Sequence, residues 1–194
     1  MGNRPVTLDH LKTSKKPVIR KVWIALDDEV AEEFQEAISK RDSLKSIHRV
    51  RPDDKTIASD LHVAEQACKE AEAKFRESAA LFKFKSIGRV AFDKMIKNHP
   101  PTAEEKREVA EAGGDPSELQ WCVETFSVAL TAACSLEPKM TVAEVQELWD
   151  DDNWTQAEAA AMFNAALQAN MERRNINLDA VGNGSRGTNG SKQN

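Results

Sequence analysis

The strongest constraint on the fold is a seam of apolar and small residues between positions 57 and 75. The seam repeats at spacings of four and three and consists of Ile57, Leu61, Ala64, Cys68, Ala71 and Phe75. Because this spacing keeps one side of an α-helix apolar, it predicts an amphipathic helix that packs against another helix. An earlier segment repeats the pattern in Val30, Phe34, Ala37, Arg41 and Leu44.

The stretch 46–55, which contains Pro52, is predicted to be a turn between these two helices. Two amphipathic helices with a short break favour an antiparallel helical hairpin. A longer parallel coiled coil between two copies is the less favoured alternative, because Pro52 interrupts it.

Alternating segments on either side of the hairpin predict two strands, over 18–26 and 81–87. Across the hairpin these strands would pair antiparallel, and a two-stranded ribbon is marginal unless another element covers it. Gly88 ends the second strand and precedes a short helix with Phe92, Met95 and Ile96 on one face.

Four later sites have the S/T-x-x-E/Q form of a capping box, which marks the start of a helix. They are Thr102 with Glu105, Ser117 with Gln120, Thr141 with Glu144, and Thr155 with Glu158. The amphipathic stretches 119–134, 142–149 and 159–170 follow three of them and suit a compact bundle with short loops.

These patterns predict a mainly α fold: a helical hairpin with a small two-stranded antiparallel β ribbon, followed by a compact helical bundle, with flexible termini. The predicted units are a disordered basic arm (1–17), a strand–helix–helix–strand unit with a short helix (18–98), the bundle (99–178) and a flexible polar tail (179–194). The tail is rich in Gly, Asn and Ser, a composition that does not form a packed core.

The charge distribution is uneven. Residues 1–21 hold six Lys or Arg and one Asp, which gives this segment a charge of +5. Because the net charge of the whole chain is −5, the remaining residues carry −10. A body this acidic argues against nucleic acid as the main partner. No apolar run approaches the roughly 18 residues of a membrane span, and the N-terminus lacks the apolar core of a secretory signal. We therefore expect no membrane partner and a location in the cytosol.

No catalytic, cofactor or metal motif is present. Three cysteines and four histidines show no zinc-ligand spacing, and the acidic stretch 147–152 lacks the glycine of a calcium loop. The one conceivable nucleophile–base pair is Cys122 with His99, but Cys122 lies on the apolar stripe of its predicted helix. We predict a protein that is not an enzyme and has no cofactor.

The tryptophans have two interpretations. Trp149 and Trp154 flank the acidic loop, and they either pack in the core at helix ends or form part of a groove that receives a partner helix, because Trp is enriched at binding hot spots. On the second interpretation, the predicted partner-binding residues are Trp149, Trp154, Met162 and Phe163.

Six stretches, in this order, resemble the tail assembly chaperones of long-tailed bacteriophages of Gram-positive, particularly actinobacterial, hosts. They are 22–27, 82–89, 99–102, 124–126 with 132–134, 137–141 and 148–158, and the likeness covers roughly 18–178. One departure is Ser127-Val128, where the family pattern leads us to expect prolines.

The resemblance implies a protein that binds the tape-measure protein and keeps it soluble while tail-tube subunits polymerise around it. Further partners implied are the tail tube protein and a longer form of the chain made by a ribosomal frameshift, with divergence expected in 179–194. A homo-oligomer of the chain is also compatible with this role. The implied location is the host cytoplasm, with no place in the mature virion.

Three alternatives stay open. One is a structural tail or head-completion protein that remains in the virion, and the second is a regulatory or nucleic-acid-binding protein that uses the basic arm. The third is an enzyme, which no motif favours.

Overall fold

The elements form the predicted mainly α architecture with a small antiparallel sheet. The computed structural model describes residues 7–171. In chain order the elements are α1 (Leu8–Ser14), β1 (Ile19–Ile24), α2 (Asp28–Val50), α3 (Lys55–Ser78), β2 (Ala80–Lys85), α4 (Arg89–Asn98), α5 (Ala103–Glu111), α6 (Val123–Cys134), β3 (Ser135–Glu137), α7 (Val142–Trp149) and α8 (Gln156–Met171).

Helices α2 and α3 form the predicted antiparallel hairpin. Each begins at an aspartate whose carboxylate accepts backbone N–H groups of the first turn: Asp27 for α2 and Asp54 for α3. The seam of α3 is buried against α2, and the rings of Phe34 and Phe75 stack with centroids 5.2 Å apart. The turn is shorter than the predicted 46–55, because α2 continues to Val50.

The sheet has three strands in the order β1-β2-β3, so the predicted two-stranded ribbon was incomplete. Strands β1 and β2 pair antiparallel in the register Val22 to Phe82. Strand β3 pairs with β2 through Lys83 and Glu137, whose side chains also form an ion pair. A three-residue strand has no periodic pattern of its own, so its pairing depends on the tertiary fold.

One apolar core joins the sheet to the later helices. The largest fully buried side chains include Phe84 from β2, Phe126 and Leu130 from α6, and Met162 from α8. Helix α8 packs on β1 and β2, and α6 packs on α7 and α8. These helices supply the cover that a small ribbon requires.

The predicted disordered arm over 1–17 was wrong in part, because residues 8–14 form helix α1. Thr7 Oγ1 accepts the backbone N–H of His10 at 3.2 Å, so a local cap supports this short helix. Residues 1–6, the predicted tail 179–194 and the last residues of the predicted bundle, 172–178, lie outside the described residues.

Three of the four predicted capping boxes are confirmed. At Thr102, Thr141 and Thr155 the hydroxyl accepts a backbone N–H, and the Glu three residues later accepts the threonine N–H. The box at Ser117 was wrong. Asp115 caps a single 3₁₀ turn there, and the long helix begins only at Val123.

The start of α6 is stabilised from a distance. The N–H of Val123 donates to Glu105 Oε1 at 2.8 Å, while the other oxygen of Glu105 accepts the Thr102 N–H in α5's own capping box. One carboxylate therefore satisfies two helix starts. These two hydrogen bonds, the Thr102 bond first, lower the pKa of Glu105 below its ordinary value.

Candidate binding groove

An open groove lies among α6, α7 and α8, with a cavity volume of about 500 Å³. We call it the aromatic groove and define it by three half-buried aromatic residues and three smaller apolar residues: Trp149, Trp154, Phe163, Val128, Ala159 and Ala160. Val128 and Ala159 are almost fully buried and belong to the packed interior. The groove therefore continues the apolar core to the surface.

The loop 150–155 positions Trp154. Asp151 accepts the backbone N–H of Asn153 and its side-chain amide, both at 2.8 Å, and the Trp154 N–H donates to the Asp151 carbonyl at 2.9 Å. Helix α8 then begins at the Thr155–Glu158 capping box. A tight, locally bonded loop of this kind fixes the direction in which the Trp154 ring leaves the backbone.

Trp149 is the last residue of α7 and packs against the apolar core and against a smaller buried cluster of Val128, Ala132 and Val145. Its indole Nε1 is buried and has no hydrogen-bond partner within residues 7–171. A buried indole N–H usually finds an acceptor. Among the residues that the structure describes, apolar packing therefore determines the orientation of Trp149.

The other two aromatic residues rest on core rings. Trp154 meets Phe82 of β2 edge-on, with centroids 6.1 Å apart and planes at 85°. Phe163 meets Phe126 in the same way, at 6.2 Å and 84°. Edge-to-face contacts of this kind favour one ring orientation, so the groove walls are preformed.

The rim of the groove is polar. Gln146 donates its side-chain amide to both carboxylate oxygens of Asp150, at 2.9 and 3.0 Å. In the adjoining loop, outside the groove lining, hydrogen bonds from Asn153, the backbone bond first, lower the pKa of Asp151. An apolar floor with a polar, anionic rim can bind apolar side chains while the rim stays hydrated.

The structure brings together three of the four predicted partner-binding residues: Trp149, Trp154 and Phe163. The fourth, Met162, was wrong, because it is 0% exposed in the core between the sheet and α6. Adjacent residues on a helix point about 100° apart, and here Met162 points into the core while Phe163 lines the groove. The prediction also missed the buried groove residues Val128 and Ala159.

The conceivable Cys122–His99 pair is not assembled for nucleophilic chemistry. The His99 ring bonds to Thr125 Oγ1 at 3.0 Å, and Cys122 is buried at the start of α6. The backbone N–H of Cys122 donates to the His99 carbonyl at 2.9 Å. The two residues therefore contribute to the junction between α4 and α6.

Comparison with known proteins gives no relative: no family model, no curated protein and no solved structure matches the chain. Over residues 7–171, none of the helices has the length and apolar character needed to cross a membrane. The class that the fold itself defines is a mainly α protein with a small antiparallel sheet and an aromatic groove.

Proposed function

We propose that the aromatic groove binds apolar side chains from a helix of another protein. We further propose that the protein is a phage tail assembly chaperone whose client is the tape-measure protein. One observation carries the proposal: Trp149, Trp154 and Phe163, each half-buried, meet at one preformed groove. The sequence resemblance over 18–178 supplies the identity of the client.

The dimensions of the groove suit a helix face. Known ligand pockets have volumes of roughly 300 to 1,000 Å³, and a cavity of about 500 Å³ accepts a few large side chains but not a whole helix, whose diameter is about 10–12 Å. An amphipathic helix laid along such a groove anchors residues at spacings of three and four. Tryptophan contributes large contact area at low entropic cost, which favours it at such sites.

The charge of the chain supports a chaperone role. The sequence outside 1–21 carries −10, and mutual repulsion between acidic bodies opposes aggregation while a client's apolar surface is covered. We propose that the protein acts in the host cytoplasm, leaves before the virion is complete and has no catalytic role.

The test is co-expression of the tape-measure protein with groove-filling variants. Ala160→Trp places an indole in the open groove without truncating a core residue, because Ala160 is half-buried on its wall. Loss of one anchoring side chain costs about 1.5 to 3 kcal/mol of binding, or roughly 10- to 150-fold in affinity. We expect the soluble fraction of the client to fall accordingly.

The matched control is Ala133→Trp, the same substitution at an exposed position of α6 that does not line the groove. It should leave client solubility at the wild-type level. Equal solubility with both variants would refute the groove assignment. Mass spectrometry of purified virions addresses the alternative role, since a structural component would appear at fixed copy number.

A further inference from the structure

A second groove, next to the C-terminal end of α8, is lined by basic residues. It has a cavity volume of about 820 Å³, and its lining includes five cations from separate parts of the chain. We call it the basic groove and define it by these residues: Lys12, Lys15, Lys16, Lys85 and Arg89. Its described lining contains no Asp or Glu, although acids outnumber bases in the sequence by 32 to 27.

The cations come together because the backbone that carries them is fixed. Val18 and Ser86 exchange two hydrogen bonds, at 2.9 and 3.1 Å, which join the segment after α1 to the end of β2. The Ile87 N–H donates to Asn170 Oδ1 at 3.0 Å, which joins the same segment to α8. Residues distant in sequence therefore form one wall, and the convergence depends on the tertiary fold.

These positive charges are mostly uncompensated. Arg89 pairs with Asp93 at 3.1 Å, whereas the four lysines of the basic groove form no salt bridge within residues 7–171. Like charges gathered around one cavity repel one another, and a bound anion relieves that repulsion. A single carboxylate would neutralise only a small part of it.

We propose that the basic groove binds a small polyphosphate anion, either free or carried by a small molecule. Each phosphate with a free terminus carries about −1.5 to −2 at neutral pH, so a short phosphate chain matches several lysines at once. Lysine binds phosphate as a point charge, whereas the arginine fork binds carboxylate and phosphate alike. The only arginine in the defined set is already engaged with Asp93.

Two further features favour this ligand over a long nucleic acid. Phe92 gives the lining a half-buried aromatic face on which a nucleobase can rest. The cavity is local, and the surrounding acidic body repels a polyanion that extends beyond it. A compact anion satisfies the lysines without meeting that repulsion.

The test is isothermal titration of the full chain with inorganic triphosphate and with ATP, at about 0.1 M salt, where the screening length is roughly 10 Å. We expect saturable binding at one site. Equal affinities would show recognition of the phosphate chain, and tighter ATP binding would add a contact to the base. Both results support the proposal.

A triple variant tests whether the groove lysines form the binding site. It exchanges three of them for glutamine: Lys15→Gln, Lys16→Gln and Lys85→Gln. Each screened ion pair lost is expected to weaken binding by a factor of about two to five, so the triple variant should bind at least about eightfold more weakly. The control makes the same charge change on the exposed surface of the hairpin: Lys40→Gln, Lys45→Gln and Lys69→Gln.

Three outcomes would overturn the proposal. One is the absence of saturable binding of either phosphate compound. The second is an equal loss in the groove and hairpin variants, which would mean that net charge alone governs the interaction. The third is a single-stranded oligonucleotide that binds more than tenfold tighter than triphosphate, which would assign the groove to nucleic acid.

Discussion

Phe126 is the side chain on which the aromatic packing of the core converges, and Phe126→Ala tests that arrangement. The ring is 0% exposed, stacks on Trp121 at 4.6 Å and contacts Phe92 and Phe163 edge-on at 6.1 and 6.2 Å. Truncating a buried phenylalanine to alanine costs about 3 to 5 kcal/mol. Each aromatic pair adds about 0.5 to 1.5 kcal/mol, so we expect a loss at the upper end of that range.

The assay is urea unfolding followed by tryptophan fluorescence and far-UV circular dichroism. The matched control is Phe34→Ala on the hairpin, where the half-buried ring stacks on Phe75 and truncation should cost about 1 to 2 kcal/mol. The two probes should give the same midpoint if sheet and bundle unfold as one unit. Losses from the two substitutions that agree within about 1 kcal/mol would refute the reasoning.

Three further predictions concern helix starts and thiols. Thr141→Ala removes the cap of α7 and should lower the unfolding free energy by about 1 kcal/mol; an unchanged urea midpoint would contradict it. Because the Glu105 pKa is lowered, its carboxylate stabilises the fold above its ordinary pKa and that stabilisation is lost as pH falls through the lowered value. Glu105→Gln should therefore flatten the decline of the urea midpoint as the pH falls below the ordinary pKa of glutamate, about 4.3, and a slope identical to wild type would count against this. The three free cysteines, Cys68, Cys122 and Cys134, are buried. Their labelling with Ellman's reagent should be negligible in the native protein and complete in denaturant. Rapid labelling of the native protein would disprove their burial.

The sequence predicts helix starts well where the cap is local. Thr102, Thr141 and Thr155 each accept an N–H group from the residue three positions later, so the signal lies in a short window. The start of α6 has its partner in Glu105, 18 residues earlier in the chain. No local pattern at Ser117 or Val123 encodes that contact, so the predicted start was displaced.

The candidate site was predictable in part. Trp149 and Trp154 stood out because they flank a polar loop between helices, where large aromatic residues are conspicuous. The packing of α8 against β1 and β2 determines which side of α8 faces the groove. That side carries Phe163, whereas Met162 faces the core. The basic groove combines residues about 70 to 80 positions apart in the sequence, a convergence that only the three-dimensional structure reveals.

The most direct test of the proposed function is site-specific photo-crosslinking in cells that also express the tape-measure protein. A photoreactive amino acid replaces Ala160 in the aromatic groove or, as the control, the exposed Ala133. We expect a crosslinked adduct with the tape-measure protein from position 160 and none from position 133. Adducts of equal yield from both positions, or an adduct from position 133 alone, would contradict client binding in the aromatic groove.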